Sequence, residues 1–175
     1  MKSLVQFIQE KLIIKKGKNY KYFPESTEEL KSIIKKRIEK EGNEVNLNAI
    51  DVSIITDMHE LFMKTNFNGD ISNWDVSKVI DMSFMFYGCK SFNKDISNWD
   101  VSNVTNMNCM FSLCNSIIHD LSSWDVSKVI TMEFMFCDCI KFNQDISGWN
   151  VQKVKNSESM FSNCHIQGNY KPRFK

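Results

Sequence analysis

Two hydrophobic rhythms alternate along most of this chain. Met82, Met85, Phe86 and Cys89 fall at i, i+3, i+4 and i+7, as do Met107, Met110, Phe111, Cys114 and then Met132, Met135, Phe136, Cys139. That spacing marks one face of about two helical turns and predicts a short helix in each copy. The residue ahead of each such segment is Asp57, Asp81, Asn106, Thr131 or Asn156, and each is a favourable helix N-cap. Between these segments the chain reads Phe92-Asn93-Lys94-Asp95-Ile96-Ser97-Asn98-Trp99 and Phe142-Asn143-Gln144-Asp145-Ile146-Ser147-Gly148-Trp149. An isolated Ile between polar neighbours predicts a one-faced strand.

The rhythm repeats at a fixed distance. Trp74, Trp99, Trp124 and Trp149 are 25 residues apart, and a first copy begins at Ile50 with an offset of 24. That copy has Ile50 in place of Trp and Thr65 in place of Cys, as expected for a terminal repeat with one face unpartnered. A fixed period predicts stacked supersecondary units, each too short to fold alone. The fold class expected is a right-handed α/β solenoid of leucine-rich-repeat type, with one short parallel strand and one short helix per coil. Coils start near residues 50, 74, 99, 124 and 149. Stacked ladders point inward: Trp74, Trp99, Trp124, Trp149; Met85, Met110, Met135, Met160; Phe86, Phe111, Phe136, Phe161; and Cys89, Cys114, Cys139, Cys164.

The flanks break the period. Residues 1–49 read as an N-terminal α/β cap over the open edge of the first coil. In it, a helix is expected over 3–14 and a strand over 20–23, stopped by Pro24. A second helix is opened by the capping box Ser26-Thr27-Glu28-Glu29 and ended by Gly42. Val45 and Leu47 alternate and are expected to pair with the first coil. Residues 166–175 form a tail in which Tyr170 and Phe174 can shield the last coil.

Charge adds a second layer. Residues 1–49 carry 11 Lys and Arg against 7 Asp and Glu, residues 50–165 carry 8 against 14, and the tail adds Lys171, Arg173 and Lys175. An acidic repeat body thus lies between basic ends, and the overall balance of +1 gives no nucleic-acid signature. No secretion signal opens the sequence and no apolar run approaches the ~20 residues of a membrane helix, so a cytoplasmic location is the default expectation. Of the six cysteines, four share one repeat position. They read as a ladder of small buried thiols, although stacked coils roughly 4.8 Å apart would also bring them within disulfide range.

The motif Trp-Asp-Val-Ser-x-Val-x-x-Met-x-x-Met-Phe-x-x-Cys-x-x-Phe-Asn-x-Asp-Ile-Ser, carried over residues 50–165, resembles the repeats of BspA-like leucine-rich-repeat surface proteins. More narrowly, it resembles the domain of unknown function first described in mycoplasmas. The resemblance implies a divergent leucine-rich-repeat solenoid, surface display, adhesion and host interaction, with no catalytic residues. Relatives of that kind usually carry a secretion signal or lipid anchor, which this sequence lacks. Short unsignalled relatives occur in gut bacteria and their phages, so the resemblance also allows a phage-encoded or intracellular role.

The most site-like features are polar columns. Asp70, Asp95, Asp120 and Asp145 form one, Ser72, Ser97, Ser122 and Ser147 another, and Asn68, Asn93 and Asn143 a third that Ile118 interrupts. Each Asp can close an Asx turn onto backbone N–H groups, or the column can form a cation- or ligand-binding stripe. The Trp ladder packs in the core or, if exposed, stacks on sugars or peptides. His59, His119 and His165 share no repeat position. Cys137-Asp138-Cys139 and the pair Cys109, Cys114 have no second ligand pair at zinc-site spacing. No phosphate loop or nucleophile motif appears. The expectation is a non-catalytic module without metal or cofactor, binding a protein or glycan through the strand-face columns. The alternative is a structural or assembly protein, virion-associated included, that self-associates weakly through its C-terminal edge.

Overall fold

The computed structural model describes residues 20–174; the helix expected over 3–14 lies outside them. The cap helix forms as its capping box requires. Helix α1 spans Thr27–Glu41, and the Ser26 side chain accepts from the Glu29 N–H at 3.2 Å. The Glu29 carboxylate reaches back to the Glu25 N–H at 2.8 Å rather than to Ser26. Gly42 closes the helix at φ 84°, a conformation glycine adopts without steric cost. Leu30 and Ile34 are buried against the repeats, and the Thr27 hydroxyl donates to the Asp57 carbonyl at 2.7 Å. The strand expected over 20–23 is reduced to one bridge, Tyr22 to Ile50.

The repeats stack in register. Parallel bridges join Asp57 to Asp81, Asp81 to Asn106, Asn106 to Thr131 and Thr131 to Asn156, so successive copies are immediate neighbours. Coil 1 begins at 50, coil 2 at 74, coil 3 at 99, coil 4 at 124 and coil 5 at 149. The rings of Phe62, Phe86, Phe111, Phe136 and Phe161 form one stack with centroid separations of 5.5, 5.6, 5.6 and 6.0 Å. Each buried Trp places its Nε1–H on a carbonyl 27 or 28 residues earlier in the chain: Trp74 on Leu47, Trp99 on Ile71, Trp124 on Ile96 and Trp149 on Leu121. That contact meets the indole's one polar demand inside an apolar core. The thiols behave alike, with Cys89 donating to the Phe62 carbonyl, Cys114 to Phe86 and Cys139 to Phe111, each at 2.8 Å.

The coil itself is not the strand-and-helix unit expected from the sequence. Among the described residues the only helices are α1 and a single 3-10 turn at Gly168–Tyr170, and strand pairing is confined to isolated bridges. The expected α/β solenoid is therefore incorrect, and so is the N-cap role of Asp57, Asp81, Asn106, Thr131 and Asn156. An α-helix would return each N–H to its own turn. Here Met82, Phe84, Phe86 and Gly88 donate instead to Asn106, Asn108, Met110 and Ser112 of the following coil, while Met85, Tyr87 and Cys89 donate three residues back. The segment is a run of β-turns that alternates local and inter-coil bonds. It turns Met, Met, Phe and Cys inward at the same spacing a helix would.

Backbone conformation confirms this. Each coil has two positive-φ residues four apart, namely Glu60 and Lys64, Phe84 and Gly88, Cys109 and Leu113, Phe134 and Asp138, Ser159 and Asn163, with φ between 51° and 70°. Positive φ at the third position of a turn is the mark of type II geometry. Only one of the ten is glycine, and each of the others bears the left-handed penalty of about 1–2 kcal/mol. A Cβ on Gly88 would meet nothing closer than Lys64 Cγ at 3.5 Å, so space is not the issue. Gly88→Ala is expected to lower unfolding stability by about 1 kcal/mol, and Lys64→Gly at the matching position to raise it by about as much. Urea unfolding midpoints check both. A neutral Gly88→Ala would mean that the turns relax out of positive φ.

The expected strands fail for a related reason. The Asn93 N–H goes to the Asn68 side-chain oxygen at 2.9 Å, and the Ser97 N–H to the Asp95 carboxylate at 3.0 Å. Polar side chains intercept the donors that a backbone ladder would use. Val45 and Leu47 lie under coil 1, where the Leu47 N–H donates to the Asp70 carbonyl at 2.8 Å. The crossing is tight: a Cβ on Gly69 would sit 2.1 Å from the Val45 oxygen, so glycine replaces the Lys94 and Gln144 of later coils. At the other end Ile166 is buried and Tyr170 and Phe174 pack against the core.

Candidate functional site

The columns singled out by the sequence occupy one flank of the stack, where each Asp closes a turn on the residue two ahead. Asp70 Oδ1 accepts from the Ser72 N–H at 3.0 Å and from its hydroxyl at 2.8 Å. Asp95, Asp120 and Asp145 accept from the N–H groups of Ser97, Ser122 and Ser147 at 3.0, 2.8 and 3.0 Å. Two further columns do the same. Asp75, Asp100, Asp125 and Asn150 cap Ser77, Ser102, Ser127 and Gln152. Asp57, Asp81, Asn106 and Asn156 cap His59, Ser83, Asn108 and Glu158. The turn that begins four of the five Met segments is thus held by the residue expected to cap a helix there; at the fifth, the Glu133 N–H and the Thr131 hydroxyl both go to Asn108 Oδ1 of the coil before.

The Asn column ties coil to coil. Asn68 Oδ1 accepts from the Asn93 N–H, Asn93 Oδ1 from the Ile118 N–H, and Asn143 Oδ1 from the Gln167 N–H. Ile118 has no such oxygen, and there Gln144 Nε2 donates to the Ile118 carbonyl at 2.6 Å instead. The Trp ladder is buried, each ring 3–5 % exposed.

Hydrogen bonds within the turns lower the pKa of Asp70, Asp95 and Asp145. The Ser97 N–H and hydroxyl hold Asp95 below the ordinary carboxylate value, and Ser147 does the same for Asp145. Burial pushes Asp70 upward, but Ser72 and Asn48 more than offset it. Asp95, Asp120 and Asp145 stay exposed, one coil apart. Their Oδ2 atoms make no hydrogen bond among the described residues, whereas Asp70 Oδ2 accepts from Asn46 Nδ2 at 3.1 Å.

The histidines and remaining cysteines are dispersed. His59 Nδ1 lies 2.8 Å from Asp57 and its Nε2 3.4 Å from Lys31 Nζ, joining coil 1 to α1. His119 Nε2 lies 3.1 Å from the Asn93 carbonyl oxygen, and His165 is exposed. Cys137 and Cys139 diverge, the first beside the Asp138 carboxylate at 3.3 Å and the second in the core. Among the described residues no three His, Cys, Asp or Glu side chains gather as a metal would require. Nor is any helix among the described residues long and apolar enough to cross a membrane. A second flank, not foreseen from the sequence, carries Ile80 and Ile130, which share one repeat position and are 50 % and 43 % exposed. The signal was a β-branched residue at a position otherwise polar, following the inward Val79 and Val129.

The family described as "Mycoplasma protein of unknown function, DUF285" matches residues 28–122 and 114–169. The chain belongs to this family. The match takes in most of helix α1 together with the repeats. No curated protein and no solved structure gives a significant match.

Proposed function

We propose that the chain is a non-catalytic interaction module that binds a protein or glycan partner through the acidic flank. The observation carrying this reading is the exposed row Asp95, Asp120, Asp145, each carboxylate oriented by its own Asx turn and one oxygen uncommitted. Like charges stacked coil over coil repel, so a partner with cations or hydroxyl donors at that spacing gains their relief on binding. Side chains already fixed by a turn lose little freedom in the complex. The resemblance of the repeat motif to BspA-like surface proteins supports an adhesive role and display on a surface.

The chain supplies its own control substitution. Asn106, Asn150 and Asn156 close the same turn with an amide oxygen at 3.1, 3.3 and 3.1 Å. The triple variant Asp95→Asn, Asp120→Asn, Asp145→Asn is therefore expected to keep its melting temperature and to weaken partner capture by about tenfold or more. The triple Ala variant is expected to lose about 0.5–2 kcal/mol of stability per site as well. Capture from host extract and a glycan array, beside thermal melting, read the two effects apart. Full capture by a folded Asn variant would remove the flank from consideration.

A further inference from the structure

The turns orient the backbone in a way that a sheet does not. In coil 2 the peptides 81–82, 83–84, 85–86 and 87–88 each point C=O toward coil 1 and N–H toward coil 3. Coils 1, 3 and 4 repeat the arrangement through Met58, Glu60, Phe62 and Lys64, then Met107, Cys109, Phe111 and Leu113, then Met132, Phe134, Phe136 and Asp138. Four columns of peptide dipoles therefore run head to tail along the stack, as in an α-helix, whereas sheet dipoles largely cancel. At the N-terminal end the Asp57 carbonyl is met by the Thr27 hydroxyl of α1. At the other end the equivalent donors, the N–H groups of Ser157, Ser159, Phe161 and Asn163, have no hydrogen-bond partner among the described residues.

The charge of the last coil changes with it. Residues 149–173 carry Lys153, Lys155, Lys171 and Arg173 against Glu158 alone. Both acidic columns end there, with Asn150 following Asp125 and Tyr170 following Asp145 at the repeat spacing. The tail folds back over the coil, and the Tyr170 carbonyl accepts from the Ile146 N–H at 3.0 Å. It sets Lys171 Nζ 5.3 Å over the Phe161 ring and leaves a cleft of about 400 Å³ lined by Lys171, Arg173, Ser147 and Asn169.

We infer that this end of the stack is a docking surface for an acidic polypeptide segment, whose carboxylates and carbonyls meet the row of free N–H groups while Lys171 and Arg173 pair its charge. An ordinary strand edge alternates donors with acceptors and would oppose donor to donor here. Ionised carboxylates are acceptors only and match a donor-only row. A second copy stacked tail to tail meets the same opposition. This surface meets the carboxylate flank only at Ser147, which Asp145 caps, and the row of N–H groups stands without the flank.

The test uses the full chain with a short capped peptide of alternating Glu and Ala, and the Lys-for-Glu peptide as control, followed by amide hydrogen exchange and chemical shifts. In the free protein the amides of Ser157, Ser159, Phe161 and Asn163 should exchange fast, while those of Met132, Phe134, Phe136 and Asp138 are protected. The Glu peptide should slow the first set by about tenfold at saturation and leave the second unchanged. Lys171→Glu with Arg173→Glu should weaken binding by about tenfold or more, with core shifts intact. Protection of the four amides in dilute free protein would overturn the proposal. So would protection that rises with protein concentration alone, which would assign the edge to a second copy. Equal binding of the Lys peptide, or shifts confined to other surfaces, would overturn it as well.

Discussion

Phe111→Ala should destabilise the protein by about 3–5 kcal/mol, a large part of the 5–15 kcal/mol that holds a domain of this size. Phe111 is fully buried at the centre of the ring stack, 5.6 Å from both Phe86 and Phe136 and 6.2 Å from Trp124. Removing it empties a site whose walls are rings in two other coils. Those rings cannot close in, because the turn segments that carry Phe86 and Phe136 each donate four backbone hydrogen bonds to the next coil. The terminal member of the stack provides the comparison. Phe161 meets only Phe136, at 6.0 Å, is half-buried, and has Lys171 rather than a ring on its outer side. Phe161→Ala should cost less than about 2 kcal/mol, since one interface is lost rather than two. Urea denaturation of both variants checks the pair. Equal losses would mean that the coils do not support one another in series.

The second large effect is alkaline. Burial raises the thiol of Cys89 from 9.0 to about 11, and raises Cys114 and Cys139 well above the ordinary value too. These groups keep their protons in the folded state at a pH where the unfolded chain releases them. The folded state thus binds more protons, so stability is fully present below the ordinary thiol value and falls as pH rises above it. For Cys89 the fall ends near pH 11. Each thiol removes up to about 1.4 kcal/mol per pH unit, so the three together remove about 4 kcal/mol by one unit above the ordinary value. Thr65 already occupies this repeat position in coil 1, its hydroxyl donating to the Phe62 carbonyl at 2.8 Å. A triple Cys→Thr variant at 89, 114 and 139 removes the titrating groups at nearly constant volume. Melting under reducing conditions at neutral and alkaline pH should show a markedly smaller loss for the variant, with lysine titration common to both. An equal loss would place the alkaline sensitivity elsewhere.

The inward and outward positions were legible because burial leaves its mark on residue type. Met82, Met85, Phe86, Cys89 and Trp99 are all inside, as their period requires. Helix α1 was legible because a capping box and a terminal glycine are local signals that need no distant partner. The Asp columns were legible as turn closures for the same reason, since Asp and Ser two residues apart make their bond within the turn itself. The secondary structure of the coil was not legible. The spacing i, i+3, i+4, i+7 shows which side chains face the core and says nothing of where Phe84 or Phe86 sends its N–H.

The sequence by itself therefore determined the repeat, its register, the ladder of core residues and the capped helix at one end. Each is written in side chains whose volume, polarity or local bonding is sufficient cause. Only the tertiary structure decided that the coil is a chain of turns, that its peptides align along the stack, and that the N–H groups of Ser157, Ser159, Phe161 and Asn163 find no partner among the described residues. Those outcomes depend on carbonyls about 25 residues away, such as Asn106 for Met82. A backbone N–H carries no mark in the sequence of the partner it will find.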